Sequence, residues 1–239
     1  MRAVIVAQSL LLLAMLLGCA PLRAQFLAPL EASTHEEFDE YLIIEAAKSP
    51  QATESSAAAF LRRWPKSGLE PRVREMRFFA LQRLGREAEA RQEGEAALRS
   101  APDNLAVKSE LAVQLAQADV AAAGRLARET LEAIDRFRAA RSVPLDQWLR
   151  AAAKVRSRAH TALGLVLFRS GDAAGSLREL EQAQRLTPEP DATLSLRLGR
   201  LQAALGRIDE ARRNLEDAAR SDDKAVADLA RTELAGLRR

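Results

Sequence analysis

LGLVLFRSGDAAGSLRELEQA (residues 163–183) and LGRLQAALGRIDEARRNLEDA (residues 198–218) decide the reading of this chain. Laid over each other, they bring Gly164 onto Gly199, Gly171 onto Gly206, Leu180 onto Leu215 and Ala183 onto Ala218, each pair 35 residues apart. One offset shared by four small or apolar positions marks a repeated supersecondary unit. A third copy stands further upstream: Gly85, Ala97 and Pro102 lie 86 residues before Gly171, Ala183 and Pro188. That offset exceeds two 34-residue periods by 18 residues, which is five turns at about 3.6 residues per turn. An insertion of whole turns keeps an apolar face in register, so Leu105 to about Lys154 reads as one repeat with elongated helices.

Working outward, the local signals are helical. Thr34-His35-Glu36-Glu37 sets a hydroxyl three residues before a carboxylate and leads into Phe38, Tyr41, Leu42 and Ile44, the pattern of a capping box opening an amphipathic helix. Ser49-Pro50 closes that helix and opens the next, with Pro at the first helical position. The second helix carries Ala57, Phe60 and Leu61 to Trp64 and stops at Pro65-Lys66-Ser67-Gly68. Only 4% of residues are aromatic, while Ala, Leu, Arg and Glu, the strong helix formers, are abundant. The 239 residues are 48% hydrophobic and 29% charged, too apolar for disorder and long enough for one or two domains. With 11 Gly, 9 Pro and one Cys, collagen and disulfide-framework classes are excluded. A single apolar N-terminal run excludes a polytopic membrane protein.

That run has the layout of an export signal: Met1-Arg2, an apolar stretch from Ala3 to Leu17, then small and turn-forming residues. Two processing readings stay open. Leu16-Leu17-Gly18-Cys19 resembles the bacterial lipobox, with Leu17 where a small or β-branched residue is usual, and would make Cys19 a lipidated N-terminus. Leu22-Arg23-Ala24 instead offers an ordinary cleavage site before Gln25, and Cys19 would be discarded. Residues 25–239 carry 34 basic against 33 acidic groups. So even a balance lacks the dominant cationic face that nucleic-acid binding needs.

The repeated positions resemble the tetratricopeptide repeat family, whose pattern here is His160, Leu163-Gly164, Leu167, Ser176, Leu180, Ala183 and Pro188. The next copy shows Leu198-Gly199, Gln202, Ala211, Leu215 and Ala218, with Asp223 in place of the terminal Pro. The early copy shows Phe78, Leu81, Ala90, Ala97 and Pro102, with Gly94 in place of the large helix B residue. Phe60 to Ser67 also looks like a helix ending of repeat lipoproteins in bacterial envelope assembly. The resemblance implies an all-α fold of antiparallel helix pairs, A and B, stacked as a right-handed α-solenoid. Its expected division is an export signal at 1–24, a linker at 25–33, degenerate helix pairs at 34–104, the elongated pair at 105–156, two repeats at 157–223 and a capping helix at 224–239. Physics supplies reasons for the residue types. Gly164 and Ala183 belong where helices A and B approach closely, and Gly171 and Gly206 belong at turns needing a left-handed residue. Asp172 is placed to cap helix B, and Val226, Leu229, Leu234 and Leu237 form the expected inner stripe of the last helix, with Arg231, Arg238 and Arg239 toward its C-terminal end.

In this family helix A lines a concave groove. Those positions fall on Arg158, Leu165, Phe168 and Arg169 in one copy, Leu196, Arg200 and Ala203 in the next, and Arg72, Phe79 and Arg83 in the early one. Arginines beside apolar side chains suit a peptide carrying carboxylates, although surface arginines paired with nearby glutamates would look the same in sequence. Leu165 and Arg200 stand where the family's carboxylate clamp has Asn, so that clamp is not implied.

Chemistry has little to build on. The two histidines, His35 and His160, are 125 residues apart, and no HExxH, CxxC, GxSxG, GxGxxG or Walker loop occurs. Neither a metal nor another cofactor is expected. His160 reads as a packed histidine, and Glu93-Gly94-Glu95, Glu179-Leu180-Glu181 and Asp222-Asp223 read as solvated faces or helix caps. The expectation is a non-catalytic, exported protein of the bacterial envelope, periplasmic or anchored to the outer membrane through Cys19, that binds a protein or peptide in its groove. The alternatives are an assembly lipoprotein for the outer membrane or cell wall, and an all-helical hydrolase, which would need a buried acid that nothing here singles out.

Overall fold

The computed structural model describes residues 31–136, 143–187 and 190–237. Residues 1–24 with Cys19, the start of the linker, Pro188, Arg238 and Arg239 lie outside the described residues. Eleven helices and no strand occur among those described: α1 (His35–Glu45), α2 (Pro50–Arg63), α3 (Glu70–Arg83), α4 (Glu87–Ser100), α5 (Leu105–Leu115), α6 (Val120–Arg136), α7 (Leu145–Arg169), α8 (Ala173–Leu186), α9 (Ala192–Ala204), α10 (Ile208–Ala219) and α11 (Lys224–Gly236). None of them is long and apolar enough to cross a membrane. The chain divides into two compact units, Met1–Leu111 with Ala139–Trp148, and Ala112–Arg138 with Leu149–Arg239.

In the first unit, Thr34 caps α1 by accepting from the Glu37 amide at 3.1 Å. The Glu37 carboxylate accepts from the Ser33 amide at 2.6 Å and from the Ser67 hydroxyl, one residue away from the reciprocal bond of a capping box. Ser49 caps α2, with Pro50 at its first turn, and the Trp64 amide closes the helix on the Phe60 carbonyl at 2.8 Å. The Trp64 indole then donates to Glu40 at 2.9 Å, and the Arg63 guanidinium lies 5.3 Å from the Trp64 ring centre while pairing with Glu36 and Glu40. The Trp-Pro ending therefore serves the fold by tying α2 to α1. Tyr41, Ile44, Ala57, Phe60, Leu69, Val73 and Met76 form the core beneath it. Ala32 packs on that core, and a Cβ at Gly68 would collide with the Glu31 carbonyl. Residues 31–33, expected as linker, are thus part of the folded unit.

In the second unit, the contact between helices A and B repeats. A Cβ at Gly164 of α7 would lie 2.7 Å from Leu180 of α8, and one at Gly199 of α9 would lie 2.6 Å from Leu215 of α10. Neither spacing admits a side chain, because buried helices meet at close-packed density. Each leucine, buried on folding, contributes about 1.5–3 kcal/mol. Gly171 (φ +83°) and Gly206 (φ +76°) hold the left-handed conformation that ends helix A, and Gly85 (φ +69°) does so in the first unit. Asp172, Asp191 and Asp223 cap α8, α9 and α11 through amides two or three residues on.

Three expectations need correction. The boundary at 156/157 falls inside α7, a helix of 25 residues, whereas α5 has only 11. The extra turns expected of an elongated pair at 105–156 lie chiefly at the start of α7 and in the 17-residue α6. Whole-turn lengthening preserves phase wherever it occurs, so the offset alone does not locate it. The inner stripe of α11 is shifted: Ala227 and Ala230 are buried with Val226, Leu234 and Leu237 packed beside them, while Leu229 is 46% exposed. Leu229 lies one residue off the stripe that Ala227, Ala230, Leu234 and Leu237 mark, rotated by about 100°.

Candidate binding surface

The early copy puts its helix A residues on α3, with mixed outcome. Arg72 is 1% exposed: its guanidinium lies 3.1 Å from Glu75 and 3.9 Å from Glu45, inside a buried cluster with Tyr41. Asn104, ahead of α5, donates to the same Glu75 oxygen at 3.1 Å and caps α5 through the Val107 amide. The expectation that Arg72 meets a ligand is therefore corrected. A guanidinium taken from water needs its carboxylate partners beside it, and here Glu45 of α1 and Glu75 of α3 supply them. Burial pushes the Tyr41 hydroxyl well above the ordinary tyrosine range, against the opposing charge of Arg72. Phe79 is half-buried, its ring centre 4.9 Å from Phe78 in an edge-on pair. Arg83 ends the helix exposed and forms no ion pair with any described acid.

On α7, Arg158 donates to Asp191 at 3.1 Å and Leu165 is half-buried against the Ala112, Ala159 and Ala162 cluster. Phe168 is 56% exposed and Arg169 beside it is exposed, paired with no acid among the described residues. On α9, Leu196 is only 5% exposed and packs with Leu215, Ala218 and Ala230, so its expected groove role is also corrected. The face of a helix that one neighbour leaves open is covered when a further helix packs on it, and α11 does so here. Arg200 donates to Glu233 of α11 at 2.8 Å, and Ala203 is half-buried.

What remains open on helix A is thus a small set: Phe168 and Arg169 in one unit, Arg83 in the other. Arg83 and Arg169 occupy the same repeat position, 86 residues apart. Guanidiniums there can hold carboxylates in a two-pronged bond, and an exposed phenyl ring can bury an apolar side chain next to it.

Several polar contacts were not read from the sequence, although the offsets point to them. His160 lies 2.7 Å from Glu179, and the residues 86 earlier, Arg74 and Glu93, pair at 2.7 Å. Both join helix A to helix B at one register. Glu93 is also held by Arg77, and Glu181 by Arg207 at 3.1 Å, so these carboxylates are engaged in ion pairs between helices. Among the described residues no three His, Cys, Asp or Glu side chains are placed to hold a metal ion.

No family model and no curated protein matches the sequence. Similar solved structures include MamA residues 41 to the end from Desulfovibrio magneticus RS-1, 16% identical over 84% of this chain and 98% of that one, with a TM-score of 0.49. Another is TTC0263, a thermophilic TPR protein of Thermus thermophilus, 19% identical over 85% of this chain and 95% of that one, TM-score 0.49. A tetratricopeptide repeat protein from Parabacteroides merdae is 14% identical over 85% of this chain and 98% of that one, TM-score 0.37. The contact of a small residue with a large one between helices, made at Phe78–Gly94, Gly164–Leu180 and Gly199–Leu215, and the left-handed glycine that follows α3, α7 and α9 identify the fold within each unit: helix pairs of the tetratricopeptide type.

Proposed function

We propose that this chain is a non-catalytic scaffold that holds segments of partner proteins on the exposed ends of its helix A faces, in an exported compartment of the bacterial envelope. One observation carries the binding reading: Phe168 and Arg169, adjacent at the end of α7, are both exposed, and the arginine is paired with no described acid. An open aromatic ring next to an unengaged guanidinium is a combination that interfaces favour and ordinary solvated surfaces do not need. Export rests on the sequence of residues 1–24, with Cys19 either acylated as a membrane tether or removed ahead of Gln25.

The test is comparative capture of envelope proteins, with cross-linking, by the wild-type chain and by a Phe168→Ser, Arg169→Glu variant of unchanged helicity. A partner set that loses one or more proteins in the variant is expected. Identical sets would remove the binding reading. Intact mass of the exported product separates the two processing routes, since only acylation at Cys19 adds the mass of fatty chains.

A further inference from the structure

Seven large hydrophobic side chains are exposed among the described residues, and the charge beside each one separates them. Asp146 and Arg150, next to Leu145 and Leu149, are engaged. Around Leu205 and Ile208, Arg207 pairs with Glu181 and Glu210, and Asp209 lies 3.7 Å from Arg212. Beside Leu229, Asp228 pairs with Lys224 and Arg231. The last two differ. Phe168 precedes Arg169, which pairs with no described acid, and Ile43 lies one turn after Asp39, an exposed carboxylate bonded to no described residue. A lone exposed apolar residue is ordinary, but here two of them sit beside unmatched charges of opposite sign.

Phe168 stands at the end of helix A in one repeat, and Leu205 and Ile208 flank the turn that ends helix A in the next. Arg207 of that second turn donates to Glu181 of α8 at 3.1 Å, which holds it against the preceding pair. The two turns thus lie along one edge of the second unit. The turn of the first unit has Gln82 where Phe168 stands and Glu87 where Ile208 stands, so the repeat itself does not require an apolar edge. Asp172, the acid nearest to Arg169 in sequence, accepts from the Gly175 amide at 2.7 Å, with its charge at the N-terminus of α8.

On α1, Glu36, Glu37, Glu40 and Glu45 are bound to Arg63, Ser67 and Arg72, which leaves Asp39 over. Asp39, Ile43 and Ala46 are all exposed and follow at spacings of four and three, so they share one outward face.

We propose that this outward face of α1 in one copy of the chain docks on the α7–α8 and α9–α10 turn edge of a second copy. Ile43 buries against Phe168, Leu205 and Ile208, and Asp39 accepts a two-pronged bond from the Arg169 guanidinium. The second copy is the occupant because the chain's own surface supplies the complement in both charge and apolar character. Donor and acceptor surfaces differ, so the contact is head-to-tail. It is small, and its dissociation constant is expected on the order of 100 μM. The inference names the occupant of the Phe168–Arg169 surface and rests on the binding reading given to it above.

The experiment is equilibrium sedimentation of the purified full chain from about 1 μM to about 1 mM, with Asp39→Lys, Arg169→Glu and an equimolar mixture of the two variants. Both residues are exposed and cap no helix, so the variants keep the fold, as circular dichroism checks. The wild type is expected to associate as concentration rises, and each single variant to do so about tenfold or more weakly. The mixture, in which the two reversed charges can face each other, is expected to recover. Association through the apolar run at residues 3–17 would be equal in all of them. A wild type that stays monomeric, single variants that associate as the wild type does, or a mixture that fails to recover would each overturn the inference. A monomeric wild type whose Phe168→Ser, Arg169→Glu variant still loses envelope proteins would remove the second copy as occupant and leave the binding reading standing.

Discussion

Phe78 and Gly94 exchange the sizes found in the other repeats. Each lies 86 residues before Gly164 and Leu180, so helix A holds the large residue and helix B the glycine. A Cβ at Gly94 would stand 2.8 Å from Phe78 Cε2 and 3.3 Å from Leu111 Cδ1, and the phenyl ring is fully buried. Gly94→Leu alone should therefore overpack the contact, at about 1–3 kcal/mol, offset by about 1 kcal/mol of helix propensity. Phe78→Gly alone should cost about 3–5 kcal/mol for the lost ring and about 1 kcal/mol more for glycine in a helix. Independent sites would give a double variant worse by the sum, roughly 4–8 kcal/mol. A genuine exchange predicts instead that the double variant, rebuilt to the Gly164–Leu180 arrangement, is no worse than Phe78→Gly alone, a coupling of roughly 1–3 kcal/mol. Urea unfolding followed by tryptophan fluorescence reads the right part of the chain, since Trp64 and Trp148 both belong to the first unit. Additivity of the two single changes to within about 0.5 kcal/mol would refute the exchange.

Two further outcomes follow from buried polar groups. Ser176 is fully buried, its hydroxyl has no partner among the described residues, and the matching positions are Ala90 and Ala211. Ser176→Ala should raise stability by about 1–3 kcal/mol in chemical denaturation, and a loss would contradict the reading. The raised Tyr41 pKa means that the folded state holds the phenol proton more tightly than the unfolded one. Its contribution is full below the unfolded value of about 10 and is lost as pH rises from there toward the folded value. Unfolding measured across that alkaline range should show a shallower loss of stability in Tyr41→Phe than in the wild type. Parallel slopes would show that Tyr41 is not the group responsible.

The sequence by itself determined the repeat, and with it the caps that start several helices and the glycine turns that end three of them. Those properties are local: a left-handed turn needs glycine at Gly85, Gly171 and Gly206, and a helix start is capped by a short side chain such as Thr34, Ser49 or Asp172. Only the tertiary structure decided which helix A residues stay open. Arg72 and Arg158 share a repeat position, yet one lies in the core with Glu75 and Asn104 while the other is partly exposed on Asp191. Leu196 and Arg200, which belong to one helix, part in the same way once α11 packs against them. A period states which direction a side chain points. Whether water, a carboxylate or another helix waits there depends on residues about thirty positions away, and the free energy of a buried charge or an open ring is set by that neighbour.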